Sequence, residues 1–232
     1  MTLARNHFQR ESAARAAALS GAEASTVQGT VYELALNQLA QAQRQLSAVQ
    51  SIERKVELKR QLLPAFDAYV EGALEGGRGA QDDVLTTVMM WRIDTGDIAG
   101  ALPVAAYALQ HGLRLPERYK RTLPTALAEE AAETALQRIQ AGSAPALDDL
   151  YGVDQLTEDR DMPDEVRAKL HKALGLGHEF PVDDEDAAEA ITRLKAALKH
   201  LNRALVLHDK VGVKKDIERI ERELKQASAN AG

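Results

Sequence analysis

Four aspartates crowd the stretch "EGGRGAQDDVLTTVMMWRIDTGDIAGAL", Glu75–Leu102: Asp82, Asp83, Asp94 and Asp97. Converging carboxylates can hold the divalent ions of a two-metal nuclease, and glycines ahead of a helix can cradle phosphate. The spacing argues against both. Asp82 and Asp83 open a predicted helix that Asp94 and Asp97 close, so the pairs lie roughly 18 Å apart and cannot share a metal within one subunit. At the helix start, carboxylates satisfy orphan N–H groups and would repel a phosphate. No Gly-Lys-Ser/Thr follows. Asp82, Asp83, Asp94 and Asp97 are thus catalytic candidates only for a Mg2+-dependent endonuclease assembled across a subunit boundary. Otherwise they are hinge and caps, with no cofactor and no metal.

Other signatures are equally spare. Asp183, Asp184, Glu185 and Asp186 read as a helix N-terminus. "MPDEVRAK" has the order of a restriction-type Pro-Asp…Glu-x-Lys motif, but it falls in a predicted helix without the strands that motif requires. The histidines, His7, His111, His171, His178, His200 and His208, are scattered and read as surface or boundary residues. With no cysteine, thiolate chemistry and disulfides are excluded.

The basic residues are unevenly placed. Residues 1–60 carry 8 Lys/Arg against 5 Asp/Glu, whereas residues 61–150 carry 7 against 13 and residues 151–232 carry 14 against 17. The net-positive front of a chain whose net charge is −6 is where nucleic acid is expected. Arg5, Arg10 and Arg15, with Arg44, Lys55 and Lys59 on one side of a long helix, are the candidate phosphate contacts; the plain alternative is a solvated face. Arg114, Arg118, Lys120 and Arg121 form a second candidate loop.

Apolar residues make up 45% of the chain but aromatics only 4%, a balance that favours an all-α fold. No apolar run is long enough to span a bilayer. The N-terminus lacks the apolar core of a secretory signal, so a cytoplasmic location is expected. Residues 1–28 read as a flexible basic arm with nascent helix around Ser12–Leu19. Residues 29–141 form a helical core domain, 142–164 a linker with one short helix, and 165–232 a C-terminal helical region.

Between Thr30 and Leu63 there is neither Gly nor Pro, and the apolar stripe Ala35, Leu39, Ala42, Leu46, Val49, Val56 predicts one long amphipathic helix. Asp82–Asp94 and Ile98–Gln110 form a hairpin, and Val213, Ile217, Ile220 and Leu224 give a C-terminal helix with heptad-like spacing.

"TVYELALNQLA", "ELKRQLLP", "GRGAQDDVLTTVMMWRIDTGDIAGAL", "AAYALQHGL", "DMPDEVRAKLHK" and "VGVKKDIERIERELK" together resemble the small terminase subunit of tailed bacteriophages, in order from Thr30 to Lys225. The resemblance implies recognition of double-stranded viral DNA, recruitment or regulation of a large ATPase subunit, and assembly into a homo-oligomer, generally a ring. It also implies the cytoplasm of an infected bacterial host as the location and no membrane partner. An endonuclease label accompanies the family. The competing readings are a metal-dependent endonuclease that cuts concatemeric DNA and a protein-interaction scaffold without DNA contact.

Overall fold

The computed structural model describes residues 3–20, 30–180 and 186–230. Among these residues there are helices and no strands, so the chain is all-α. No described helix is long and apolar enough to cross a membrane. Two compact units divide at Leu123/Pro124, upstream of the 142–164 linker expected from composition.

The first unit holds α1 (Leu3–Leu19), α2 (Thr30–Ser47), α3 (Ile52–Leu62), a 3-10 turn at Leu63–Ala65, α4 (Asp67–Gly76), α5 (Asp83–Asp94) and α6 (Ile98–His111). Its centre is α5, buried from Val84 to Trp91 and again at Ile93. A helix whose middle turns are buried on every side is a core element. Trp91 meets Phe66 edge-on at 6.1 Å between ring centroids. Gly96 at φ 81° reverses the chain after α5, and α6 returns along it.

The single helix expected over Thr30–Leu63 is two. The Ser47 hydroxyl donates to the Arg44 carbonyl at 2.7 Å, a local bond that competes with helix continuation. Ser51 is extended, and its hydroxyl accepts from Arg54 N to start α3. Burial explains why the break is tolerated: the apolar stripe ends at Leu46, and α3 contains no fully buried residue.

The expected arm over residues 1–28 also differs, because Leu3–Leu19 is a continuous helix. It buries Ala13 and Ala17 and packs on α4. A Cβ on Gly72 would overlap the Arg10 carbonyl, and one on Gly76 the Ala14 carbonyl. The two helices therefore approach backbone to backbone, a contact that only glycine permits. Residues 21–29 of that expected arm lie outside the described residues.

The second unit contains α7 (Leu123–Gln140), α8 (Leu147–Thr157), α9 (Asp164–Gly177), α10 (Ala187–Leu207) and α11 (Lys214–Asn230). Leu194, Ala197, Leu201, Val213, Ile217 and Ile220 form its α10–α11 core, with Leu224 at the edge. The heptad-like stripe is thus packed within the chain. Gly175 lets α9 lie close against Leu201 and the Ala197 carbonyl of α10. Lys169 of α9 reaches Glu133 of α7 at 2.7 Å, which ties Pro124–Gln140 to this unit. Of the acidic run before α10, Asp183, Asp184 and Glu185 lie outside the described residues; Asp186 caps the helix in a reciprocal capping box with Glu189.

Candidate nucleic-acid interface

Each of the four aspartates of the Glu75–Leu102 stretch has a structural partner. Asp82 is the N-cap of α5, with Oδ1 accepting from Val84 N and Leu85 N at 2.9 Å. Tyr69 donates its hydroxyl to the other oxygen at 2.7 Å. Only 1% of Asp82 is exposed. Burial pushes its carboxyl up to about 6, although all three hydrogen bonds oppose that shift. Burial and the Asp82 charge together raise the Tyr32 hydroxyl to about 12 and move Tyr69 upward too.

Asp83 accepts from Gln81 Nε2 at 2.9 Å. At the far end of α5, Asp94 pairs with Lys59. Asp97 caps α6 by accepting from Gly100 N and also pairs with Arg92 at 2.5 Å, while Arg92 reaches Asp67 at 2.6 Å. Asp83 and Asp94 are separated by the length of α5, about 16 Å. Among the described residues no three His, Asp or Glu side chains are grouped closely enough to hold a metal ion.

The basic candidates divide into engaged and available groups. Arg10 bonds Glu75 at 3.1 Å, and Lys59 is committed to Asp94. Arg5 and Arg15 are exposed on α1, Arg44 is exposed in the last turn of α2, and Lys55 is half-buried on α3. The break at residues 48–51 removes the common helical face on which Arg44, Lys55 and Lys59 were expected to align. Arg5 also borders a mainly apolar pocket of about 240 Å³ with Phe8, Val31 and Leu34. In the second candidate loop, Arg118 donates to Thr87 Oγ1 at 2.9 Å and lies over the Tyr119 ring. Gln81 exchanges two hydrogen bonds with the backbone of Arg114, which fixes the start of that loop. Lys120 and Arg121 are exposed on it.

One polar cluster had no local signal in the sequence. In the second unit His171, His178, His200 and Tyr151 meet although they come from three helices and the end of one. The Tyr151 hydroxyl lies 2.6 Å from His178 Nε2 and 3.2 Å from His200 Nε2, and the Nδ1 atoms of His171 and His200 are 3.1 Å apart. That last bond requires one ring to accept, so at least one imidazole is neutral. Burial, and then the cations Arg203, Arg167 and Lys199, lower His171 to about 4. His200 is also lowered to about 4, by burial first and by its neighbour His171 next.

The chain matches the phage small terminase subunit family over residues 36–165, and it belongs to that family. It is 49% identical to the "Terminase, endonuclease subunit" of Escherichia phage P2, across 96% of this chain and 85% of the relative. It is 27% identical to the "Probable terminase, endonuclease subunit" of Haemophilus phage HP1 (strain HP1c1), across 91% of this chain and 79% of that one. No solved structure shows significant similarity to it.

Proposed function

We propose that this terminase subunit engages double-stranded viral DNA and recruits or regulates the large ATPase subunit during genome packaging, as a homo-oligomer in the cytoplasm of the infected host. Family membership carries the reading. Within the first unit, the exposed Arg5, Arg15 and Arg44 with the half-buried Lys55 are the side chains assigned to phosphate. Arg10 and Lys59 are withdrawn from that role by their acidic partners. Phosphate contacts release counterions, so affinity should fall steeply with salt. The variant Arg44→Glu/Lys55→Glu should lose affinity for all duplex sequences alike and flatten that salt dependence; an unchanged slope in fluorescence anisotropy would exclude this face.

The names of both relatives favour a second reading, an endonuclease. Here the aspartates of the Glu75–Leu102 stretch serve as caps and ion-pair partners, which supports cutting by another subunit or by groups from several copies. The purified chain with Mg2+ should leave concatemeric DNA intact. Cleavage that is lost in Asp82→Asn/Asp83→Asn with helix content unchanged would reverse the assignment.

A further inference from the structure

The second unit is net negative by composition, yet α10 carries a cationic row. Lys195, Lys199 and Arg203 recur every fourth residue, and all three are exposed. Successive members stand about 6 Å apart along one side of the helix. None of them makes an ion pair within 4.0 Å among the described residues. Elsewhere in the unit Lys169 and Arg219 are each engaged by two or more carboxylates.

Lys199 and Arg203 also form one wall of a cleft of about 540 Å³, with Arg167 and His171 of α9 opposite and Asp154 and Glu158 at the α8 side. Arg167 is fixed: its Nη2 donates to the carbonyls of Thr157 and Arg160, both at 2.8 Å. Burial first, and then the charges of Arg203, Arg167 and Lys199, lower the His171 imidazole that faces this cleft. The half-buried Asp154 and the exposed Glu158 offset part of the positive charge in the cleft, whereas Lys195 extends the α10 row beyond the cleft lining.

We infer that Lys195, Lys199 and Arg203, with Arg167 at the cleft edge, form a second contact for the phosphate backbone of duplex DNA. The shape decides the ligand class. A single phosphate calls for donors that converge on one point, whereas these charges form a line about 12 Å long, which suits a chain of phosphates. The inference rests on the DNA-engaging reading above and adds a site in the other unit. An acidic surface of the large subunit is the rival occupant.

The test uses the full chain. Lys195→Gln/Lys199→Gln/Arg203→Gln leaves Arg167 and the buried face of α10 untouched, and circular dichroism checks that its helix content is unchanged. Anisotropy on a fluorescent duplex across a salt series should show a slope shallower by about 2.7 units, about 0.9 per lost contact. Lys195→Arg/Lys199→Arg should keep the parental slope. A parental slope in the triple glutamine variant, while Arg44→Glu/Lys55→Glu loses affinity, overturns this site alone. If the parent itself fails to bind duplex, the DNA-engaging reading falls and takes this site with it. Weakened binding of purified large subunit with DNA affinity unchanged would assign the row to protein and overturn the inference.

Discussion

Each unit buries a titratable cluster between helices, and the two respond to acid in opposite directions. In the first, burial holds Asp82 at about 6 against its ordinary 3.8. The folded chain then binds that proton more tightly than the unfolded chain, so this contribution is fully present below about pH 4 and is lost as pH rises through 6. In the second, burial and neighbouring cations hold His171 at about 4 against 6.5, and His200 sits at the same value. The folded chain binds those protons less tightly, so stability falls as pH drops from 6.5 towards 4. Helix packing alone does not set acid response; the sign of the buried group does.

The largest expected effect comes from emptying the aspartate site. Asp82→Ala removes a helix cap and strands the buried Tyr69 hydroxyl, for a combined cost of about 3 kcal/mol in urea or thermal unfolding. A loss below about 1 kcal/mol would show that water replaces the carboxylate, and the contrast between the units would weaken.

Acidification itself follows. Moving from pH 7 to 5 should cost the second unit about 2 kcal/mol through its histidines, after discounting their shifts for partial solvent screening. The raised Asp154 and Glu179 carboxyls should offset part of that loss. The first unit should gain rather than lose. Trp91, the chain's only tryptophan, lies in the first unit. Its fluorescence therefore follows that unit, while far-ultraviolet dichroism follows both. Urea midpoints from the two probes should separate at pH 5, with dichroism lost first; coincident midpoints at pH 7 and 5 would contradict the opposed signs.

A smaller effect isolates the histidines. His200→Gln keeps an amide near Tyr151 and His171 but removes a titrating ring, so it should cost about 1 kcal/mol at pH 7. It should also narrow the gap between the two probes at pH 5, and a gap of undiminished size would place the acid sensitivity in other groups. Smallest of all, Asp82→Asn/Asp83→Asn retains a capping oxygen and should change stability by under about 1 kcal/mol. By removing the buried ionisation it should flatten the pH dependence of the Trp91 transition.

The same contrast explains what the sequence disclosed. Asp82 and Asp97 were readable as caps because a cap and the N–H groups it serves lie within three residues. The α5–α6 hairpin and the Val213–Leu224 stripe were readable for the same reason, as local periodic patterns. The histidine cluster was not, since residues 151, 171, 178 and 200 meet only once α8, α9 and α10 have packed. The break between α2 and α3 was hidden because Ala48, Val49 and Gln50 carry neither Gly nor Pro; only the serines at 47 and 51 marked it. For the candidate DNA contacts, helical spacing grouped Arg44, Lys55 and Lys59 on one side but could not foresee that Glu75 and Asp94 would claim Arg10 and Lys59. Counting charge over a whole third of the chain also concealed the row on α10.

The glycine-mediated docking of α1 on α4 bears on the encounter with DNA proposed above. A tethered basic tail captures DNA by reach, searching a wide volume and folding after first contact. Between Leu3 and Leu19 the chain has no such freedom. Arg5 and Arg15 ride on a helix seated at Gly72 and Gly76, held about 15 Å apart along its axis. As proposed phosphate contacts they would act as fixed pegs. On the proposed reading, their contribution to capture would depend on how the whole subunit is oriented when it collides with the duplex, and orientation, unlike reach, is a quantity that neighbouring copies in the proposed homo-oligomer could impose on one another.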